Sequence, residues 1–252
     1  MPAIRPLLVV AHRGLSSLYP ENTLIAFEKA IDLDIDMIEL DVRLTKDKKI
    51  VVFHDAELHR LTKGSGAISD YTYAELKKFP IKTKRERMAV QHIPLLEEVF
   101  EVYGSQGRWR IEIKQEGLEE DLISLIRKYR LEEEVVLISF LLQSLLVARD
   151  KAPEIPNGYI SGTFSPDMIP MLVKERISLF DLAHPYVTKD VVRTCHRRGI
   201  GVLAWTVDER EQMEEMMICG VDGITTNRPH ILKRILSPRR KSTRNVIQRP
   251  SS

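Results

Sequence analysis

Residues 36–55 read DMIELDVRLTKDKKIVVFHD, and the reading of this stretch decides the fold. In its first part, 36–41, Ile38 and Leu40 alternate with Glu39 and Asp41. Side chains two apart on a strand share a face, so both carboxylates leave one face while Ile38 and Leu40 pack on the other. The chain then turns at Lys46–Lys49 and returns through 50–53, a hairpin whose second arm is an extra strand running into His54. The rest of the chain has a different rhythm. Short apolar runs at 7–11, 109–113, 134–138, 157–160, 178–182, 201–205 and 221–224 alternate with segments of helical composition. Those segments are 23–33, 95–103, 117–130, 141–151, 166–175, 188–198, 209–219 and 228–236, several opening with a cap-like residue such as Thr188 or Asp208. With 36–41 counted in, eight strand–helix pairs without a hairpin between them predict an α/β fold, a closed TIM (β/α)8 barrel. The stretch at about 42–94, which holds Gly64, Gly66 and the basic run Lys82–Arg87, reads as an insertion after strand two. Insertions of this kind sit on the loops over the active face of the barrel.

The bulk composition agrees with one domain. The chain has 252 residues, 43% hydrophobic and 29% charged, the size of a single barrel. Its net charge of +2 is unevenly spread: no acid follows Asp222, while eight Lys and Arg do. Removing those eight from the 38 bases leaves 30 against 36 acids, so the body is mildly acidic and overall charge gives no nucleic-acid reading. Residues 1–236 are read as the barrel, and 237–252 as a basic tail without fixed structure. Cys195 and Cys219 make no disulfide framework, and no apolar run reaches membrane-spanning length. The opening apolar stretch is too short for a signal segment, so a cytoplasmic setting is expected.

Four clusters can carry chemistry. Glu39 and Asp41, placed together at a strand end, are stable when a cation or base compensates them, or when they are solvated or paired with Arg43. In Trp109–Lys114, the residues Arg110, Glu112 and Lys114 share one face and point into the barrel. Glu112 either completes an oxygen-rich site suited to Mg²⁺ or Ca²⁺, or lies in a buried salt-bridge network with Arg110 or Lys114. His12 and His54 each follow a strand directly, at the catalytic end of this fold. Cleavage of a phosphodiester needs a proton acceptor and a proton donor, and imidazole serves either role. Arg13 offers a forked donor for a phosphoryl group. Asn22 or Thr23 caps the first helix, a structural role. Trp205, ending strand seven, either walls the pocket against the apolar part of a ligand or packs in the core. The stretch Asp222–Asn227 is assigned no chemistry, and His59, His92, His184, His196 and His230 stand without such company.

Together these residues resemble the glycerophosphodiester phosphodiesterase family. The likeness runs from about Val9 to about Pro229, through His12-Arg13-Gly14, Pro20-Glu21-Asn22-Thr23, IELDVRLTKD, VVFHD, Leu58-His59-Arg60-Leu61-Thr62, Gly64-Ser65-Gly66, IPLLEEVF, IEIK, AWTV and DGITTNRP, in that order. By this resemblance Glu39, Asp41 and Glu112 correspond to the family's divalent-metal ligands, and His12 and His54 to its general acid/base pair. Arg13 and Lys114 correspond to its phosphate contacts. It implies cleavage of glycerophosphodiesters, such as glycerophosphocholine or glycerophosphoethanolamine, to glycerol 3-phosphate and an alcohol, with Mg²⁺ or Ca²⁺ as cofactor. Three positions depart: Asp34 stands where a Gly is usual, Asp208 where Asn is common, and Asn227 where Asp is frequent. None is a ligand or catalytic histidine, so the departures bear on geometry near strands seven and eight. The alternatives are a lysophospholipase D-like activity on lysophospholipids and a catalytically silent phosphodiester-binding protein. The silent protein is expected to lack a histidine or a ligand, and all five are present.

Overall fold

A computed structural model of the chain describes residues 7–83 and 88–237. It contains nine strands: β1 (Leu8–Ala11), β2 (Met37–Leu44), β3 (Ile50–Val52), β4 (Trp109–Ile113), β5 (Val135–Ser139), β6 (Asn157–Ser161), β7 (Leu179–Ala183), β8 (Gly201–Trp205) and β9 (Gly223–Thr226). All but β3 are parallel, in the order β1-β2-β4-β5-β6-β7-β8-β9, and β9 pairs back onto β1 from Leu8↔Gly223 to Ala11↔Thr226. That pairing closes the expected eight-stranded barrel. β3 is bonded outside it, antiparallel to the far end of β2 through Val42↔Val52 and Leu44↔Ile50. The nine helices among the described residues are α1 (Leu24–Asp32), α2 (Tyr73–Leu76), α3 (Leu96–Tyr103), α4 (Glu119–Tyr129), α5 (Leu142–Lys151), α6 (Met168–Lys174), α7 (Lys189–His196), α8 (Arg210–Cys219) and α9 (Pro229–Leu236). No described helix is long and apolar enough to cross a membrane. Residues 238–252 of the expected tail and 84–87 of the basic run lie outside the described residues.

Element boundaries differ from those read in the sequence by at most two residues, except at β2. There the strand runs on through Val42 to Leu44, because the outgoing arm of the hairpin is continuous with the barrel strand. The alternation in β2 and β4 sorts side chains as expected. Ile38, Leu40, Trp109, Ile111 and Ile113 join Phe27, Leu96 and Leu122 in the layer between strands and helices, where Trp109 meets Phe27 edge-on. A fully buried side chain of that size contributes about 1.5–3 kcal/mol. Inside the barrel, by contrast, Arg110 donates to both carboxylate oxygens of Asp181 at 2.6 Å. A buried ion pair of this kind stabilises little beyond its own desolvation, so the fold rests on the outer apolar layer.

The insertion builds a small core of its own from Val51, Phe53, Leu58, Ile68, Leu76, Ile81 and Ile93. It is tied to α3 by the Tyr73 hydroxyl, which donates to Glu98 at 2.9 Å. The β1–α1 loop reaches the barrel mouth because Gly14 lets it fold back on α1. Gly14 has φ +79°, and a Cβ there would stand 2.7 Å from the backbone of Ala26. Glycine alone tolerates both conditions.

Candidate active site

At the C-terminal ends of the strands lies a cavity of about 260 Å³. Its β1–β4 half is lined by His12, Arg13, Glu39, His54, Glu112 and Lys114, and its other half by Ile138, Phe140, Ile160 and Trp205 together with Asp181, Thr206 and Thr225. Ionisable groups crowd the first wall, while the second is mixed, with its carboxylate, Asp181, paired to Arg110.

The three carboxylates converge as the alternation predicted. Glu39 and Asp41 point inward from β2, and Glu112 stands beside Asp41 in register on β4. One oxygen from each lies within 4.8 Å of the others, and all three residues are buried. Two of them are anchored by one oxygen only. Glu39 Oε2 accepts the Arg13 backbone N–H at 2.8 Å, and Asp41 Oδ2 accepts the Asn22 side-chain amide at 2.7 Å. Glu39 Oε1 and Asp41 Oδ1 are buried with no hydrogen-bond donor, although Lys114 Nζ stands 3.5 Å from the latter. Orphaned buried acceptors are costly, and here two of them belong to one carboxylate cluster.

The electrostatics carry the same signature. Burial, then Asp41 and Glu112, push the Glu39 carboxyl well above its usual range. Burial and the charge of Asp41 raise Glu112 to about 7, against the pull of Lys114. For Asp41, burial acts in the raising direction but is outweighed by Arg13, Lys114 and His54, and its carboxyl stays below the usual range. The cluster thus keeps Asp41 as the anion and holds Glu39 and Glu112 reluctant to ionise together, a conflict that a cation removes.

The imidazoles flank the cluster. Burial, then the neighbouring Arg13, lower His12 to about 4, and its Nε2 is 4.0 Å from Glu39. Its Nδ1 meets Asn227 Oδ1 at 2.7 Å. His54 is also lowered by burial, and its Nδ1 meets the Asp55 carboxylate at 2.6 Å. Arg13 pairs with Glu21 at 2.7 Å and lies 3.2 Å from Asp41, while Lys114 donates to Glu112 at 2.7 Å. Glu112 therefore has the salt bridge considered from the sequence, with Lys114 and not with Arg110. Arg43 is not a partner of the acids either: it donates to the His54 carbonyl at 2.9 Å. Trp205 donates to the Asp181 carbonyl at 3.1 Å and packs edge-on against Phe140, so it lines the cavity while its indole N–H is fixed below.

Of the two cap candidates, Thr23 is the α1 cap, accepting from the Ala26 N–H. Several roles at the site escaped the sequence reading, the first being that of Asn22, which sits at φ 55° and serves Asp41. An Asn that tolerates the left-handed region was the available signal. Arg60 bridges Glu21 and Asp55, and so ties the partner of Arg13 to the partner of His54. Asp208 does not cap α8. Its carboxylate accepts from Asn227 and Thr226, and Asn227, given no chemistry from the sequence, holds His12.

A barrel whose mouth gathers three carboxylates, two imidazoles, an arginine and a lysine has the build of an enzyme for an anionic substrate. The chain belongs to the glycerophosphoryl diester phosphodiesterase family, whose sequence profile matches residues 12–231. It is 40% identical to a glycerophosphodiester phosphodiesterase of Caldanaerobacter subterraneus subsp. tengcongensis, over 89% of this chain and 96% of that protein. Among solved structures it is similar to a phosphodiesterase of Oleispira antarctica in complex with the product sn-glycerol-3-phosphate. The TM-score is 0.80 at 27% identity, over 92% of this chain and 97% of the other. A glycerophosphodiester phosphodiesterase of Thermotoga maritima matches at a TM-score of 0.72 and 27% identity, over 91% and 99%.

Proposed function

We propose that this enzyme hydrolyses glycerophosphodiesters, such as glycerophosphocholine or glycerophosphoethanolamine, to glycerol 3-phosphate and an alcohol. In this reading Glu39, Asp41 and Glu112 hold a divalent metal, and His12 and His54 are the acid/base pair. The observation that carries it is the pair of buried, donorless oxygens, Glu39 Oε1 and Asp41 Oδ1, in a carboxylate cluster at a cavity that His12 and His54 also line. An all-oxygen set suits Mg²⁺ or Ca²⁺, and such an ion supplies Lewis-acid polarisation of the phosphoryl group. Arg13 and Lys114 place two positive charges where the phosphate oxygens gather. His12, neutral near pH 7, takes the proton of the attacking water at Nε2. His54, in the imidazolium form that Asp41 and the Asp55 carboxylate favour against burial, gives a proton to the leaving alkoxide. Trp205, with Phe140, forms the apolar surface against which the carbon skeleton of the substrate lies. Phe140 is 41% exposed at the rim, so lysophospholipids, whose acyl chain could use that surface, are the second substrate class to assay. The setting we propose is the cytoplasm, where Cys195 and Cys219 stay free thiols.

A metal titration tests the carboxylate site directly. Glu39 and Glu112 bind their protons more tightly folded than unfolded, so the metal-free protein loses stability as pH rises through about 7. A cation must displace those protons. Mg²⁺ or Ca²⁺ is therefore expected to raise Tm more above pH 7 than below it. No shift, or one equal at both, counts against the site.

A further inference from the structure

Asp208 after β8 and Asn227 after β9 are bonded to each other, and Asn227 is bonded to His12. We propose that Asp208 and Asn227 are positioning residues that fix the Nδ1–H tautomer of His12, through a hydrogen-bond relay of one direction only. Asn227 Nδ2 lies 2.6 Å from Asp208 Oδ2. A carboxylate only accepts, so the amide nitrogen faces Asp208 and the amide oxygen must face His12. Asp208 is itself held as an acceptor: its Oδ1 receives the Thr226 hydroxyl at 3.0 Å and the Asn227 backbone N–H at 2.8 Å. The amide oxygen of Asn227 is thereby presented to His12 Nδ1 at 2.7 Å, and the ring nitrogen there has to be the donor. Ser16 does not change this, since its hydroxyl donates to the His12 carbonyl at 2.7 Å or to the same Asn227 oxygen at 2.8 Å. The lone pair of His12 is left on Nε2, the atom facing Glu39 and the cavity.

The relay needs one acid and one amide, and the order in which they stand is open to exchange. With Asn227→Asp alone, two carboxylates face each other at 2.6 Å in place of a donor and an acceptor. With Asp208→Asn alone, an amide must keep its oxygen toward the Asn227 backbone N–H. Its nitrogen then meets the Asn227 side chain and favours turning it over, so that an N–H faces His12 and the proton moves to Nε2. Exchanging both restores every bond: Asn at 208 accepts from the backbone and donates to Asp at 227, which accepts from His12 Nδ1–H.

This inference rests on His12 being one of the two proton-transfer groups, and its tests separate the two claims. In the wild-type protein, long-range ¹H–¹⁵N spectra of the His12 ring are expected to show a protonated Nδ1 and a bare Nε2. The opposite assignment overturns the relay whatever the activity. With glycerophosphocholine as substrate, each single variant is expected to lose roughly ten- to hundredfold in kcat, the usual size of a disturbed supporting bond. KM stays within about threefold, because neither residue lines the cavity, and the double exchange recovers kcat to within a few-fold of wild type. A double variant no better than the worse single one, with both folded by circular dichroism, overturns it. If instead His12→Ala keeps full activity while the ring shows the Nδ1–H form, the proton-transfer reading falls and the relay stands.

Discussion

Replacing His12 or His54 by alanine is expected to lower turnover of glycerophosphocholine by about two to four orders of magnitude, the usual contribution of a positioned acid or base. The substitutions remove chemistry without removing support. Neither imidazole belongs to an apolar cluster, and each ring makes one hydrogen bond to the fold, with Asn227 or Asp55. Tm is therefore expected to change little, which separates lost catalysis from lost folding. The two residues act in one reaction, so the double variant should be only slightly worse than either single one. Retention of more than a tenth of wild-type kcat in a folded single variant contradicts the acid/base assignment. Such a result for His54 alone would leave the phosphodiester site standing but move the proton donor elsewhere.

The second large effect is expected from Asp41→Asn, which keeps shape and removes charge. Asp41 is fully buried, faces Arg13 and Lys114, and is the member of the cluster held ionised. The amide replaces an anion that both cations and a bound metal would use. Electrostatic groups aimed at a developing charge are worth about 10²–10³ in kcat, and a loss of at least that size is expected. The variant has a distinguishing mark. Raising Mg²⁺ or Ca²⁺ should recover part of its activity, because the defect is affinity, whereas no amount of cation should help His54→Ala. An Asp41→Asn enzyme with unchanged kcat and unchanged response to metal would show that the carboxylates are a structural salt-bridge cluster.

What could be seen in the sequence was whatever depends on local period. Ile38 and Leu40 against Glu39 and Asp41, and Trp109, Ile111 and Ile113 against Arg110 and Glu112, gave the two faces of β2 and β4, and with them the inward carboxylates. The hairpin after β2 and the strand-end positions of His12 and His54 were legible for the same reason. What could not be read was which inward group meets which across the barrel. Arg110 finds Asp181, 71 residues on, and His12 finds Asn227, 215 residues on. The second contact exists only because β9 closes on β1. Asp208 was misread as a cap residue, and the first-helix cap was left between Asn22 and Thr23, for a related reason. An Asn or Asp next to a helix start has a local bond on offer, and only the tertiary structure shows a stronger partner in Asp41 and Asn227. Positions 208 and 227, read from the sequence as bearing on local geometry, prove to be one bonded pair.

Glycerol 3-phosphate released from glycerophosphocholine by the purified protein, with and without EDTA, tests the account most directly. The account predicts release that EDTA abolishes and that added Mg²⁺ or Ca²⁺ restores. Release that EDTA leaves unchanged, or no glycerol 3-phosphate from any glycerophosphodiester, would contradict it.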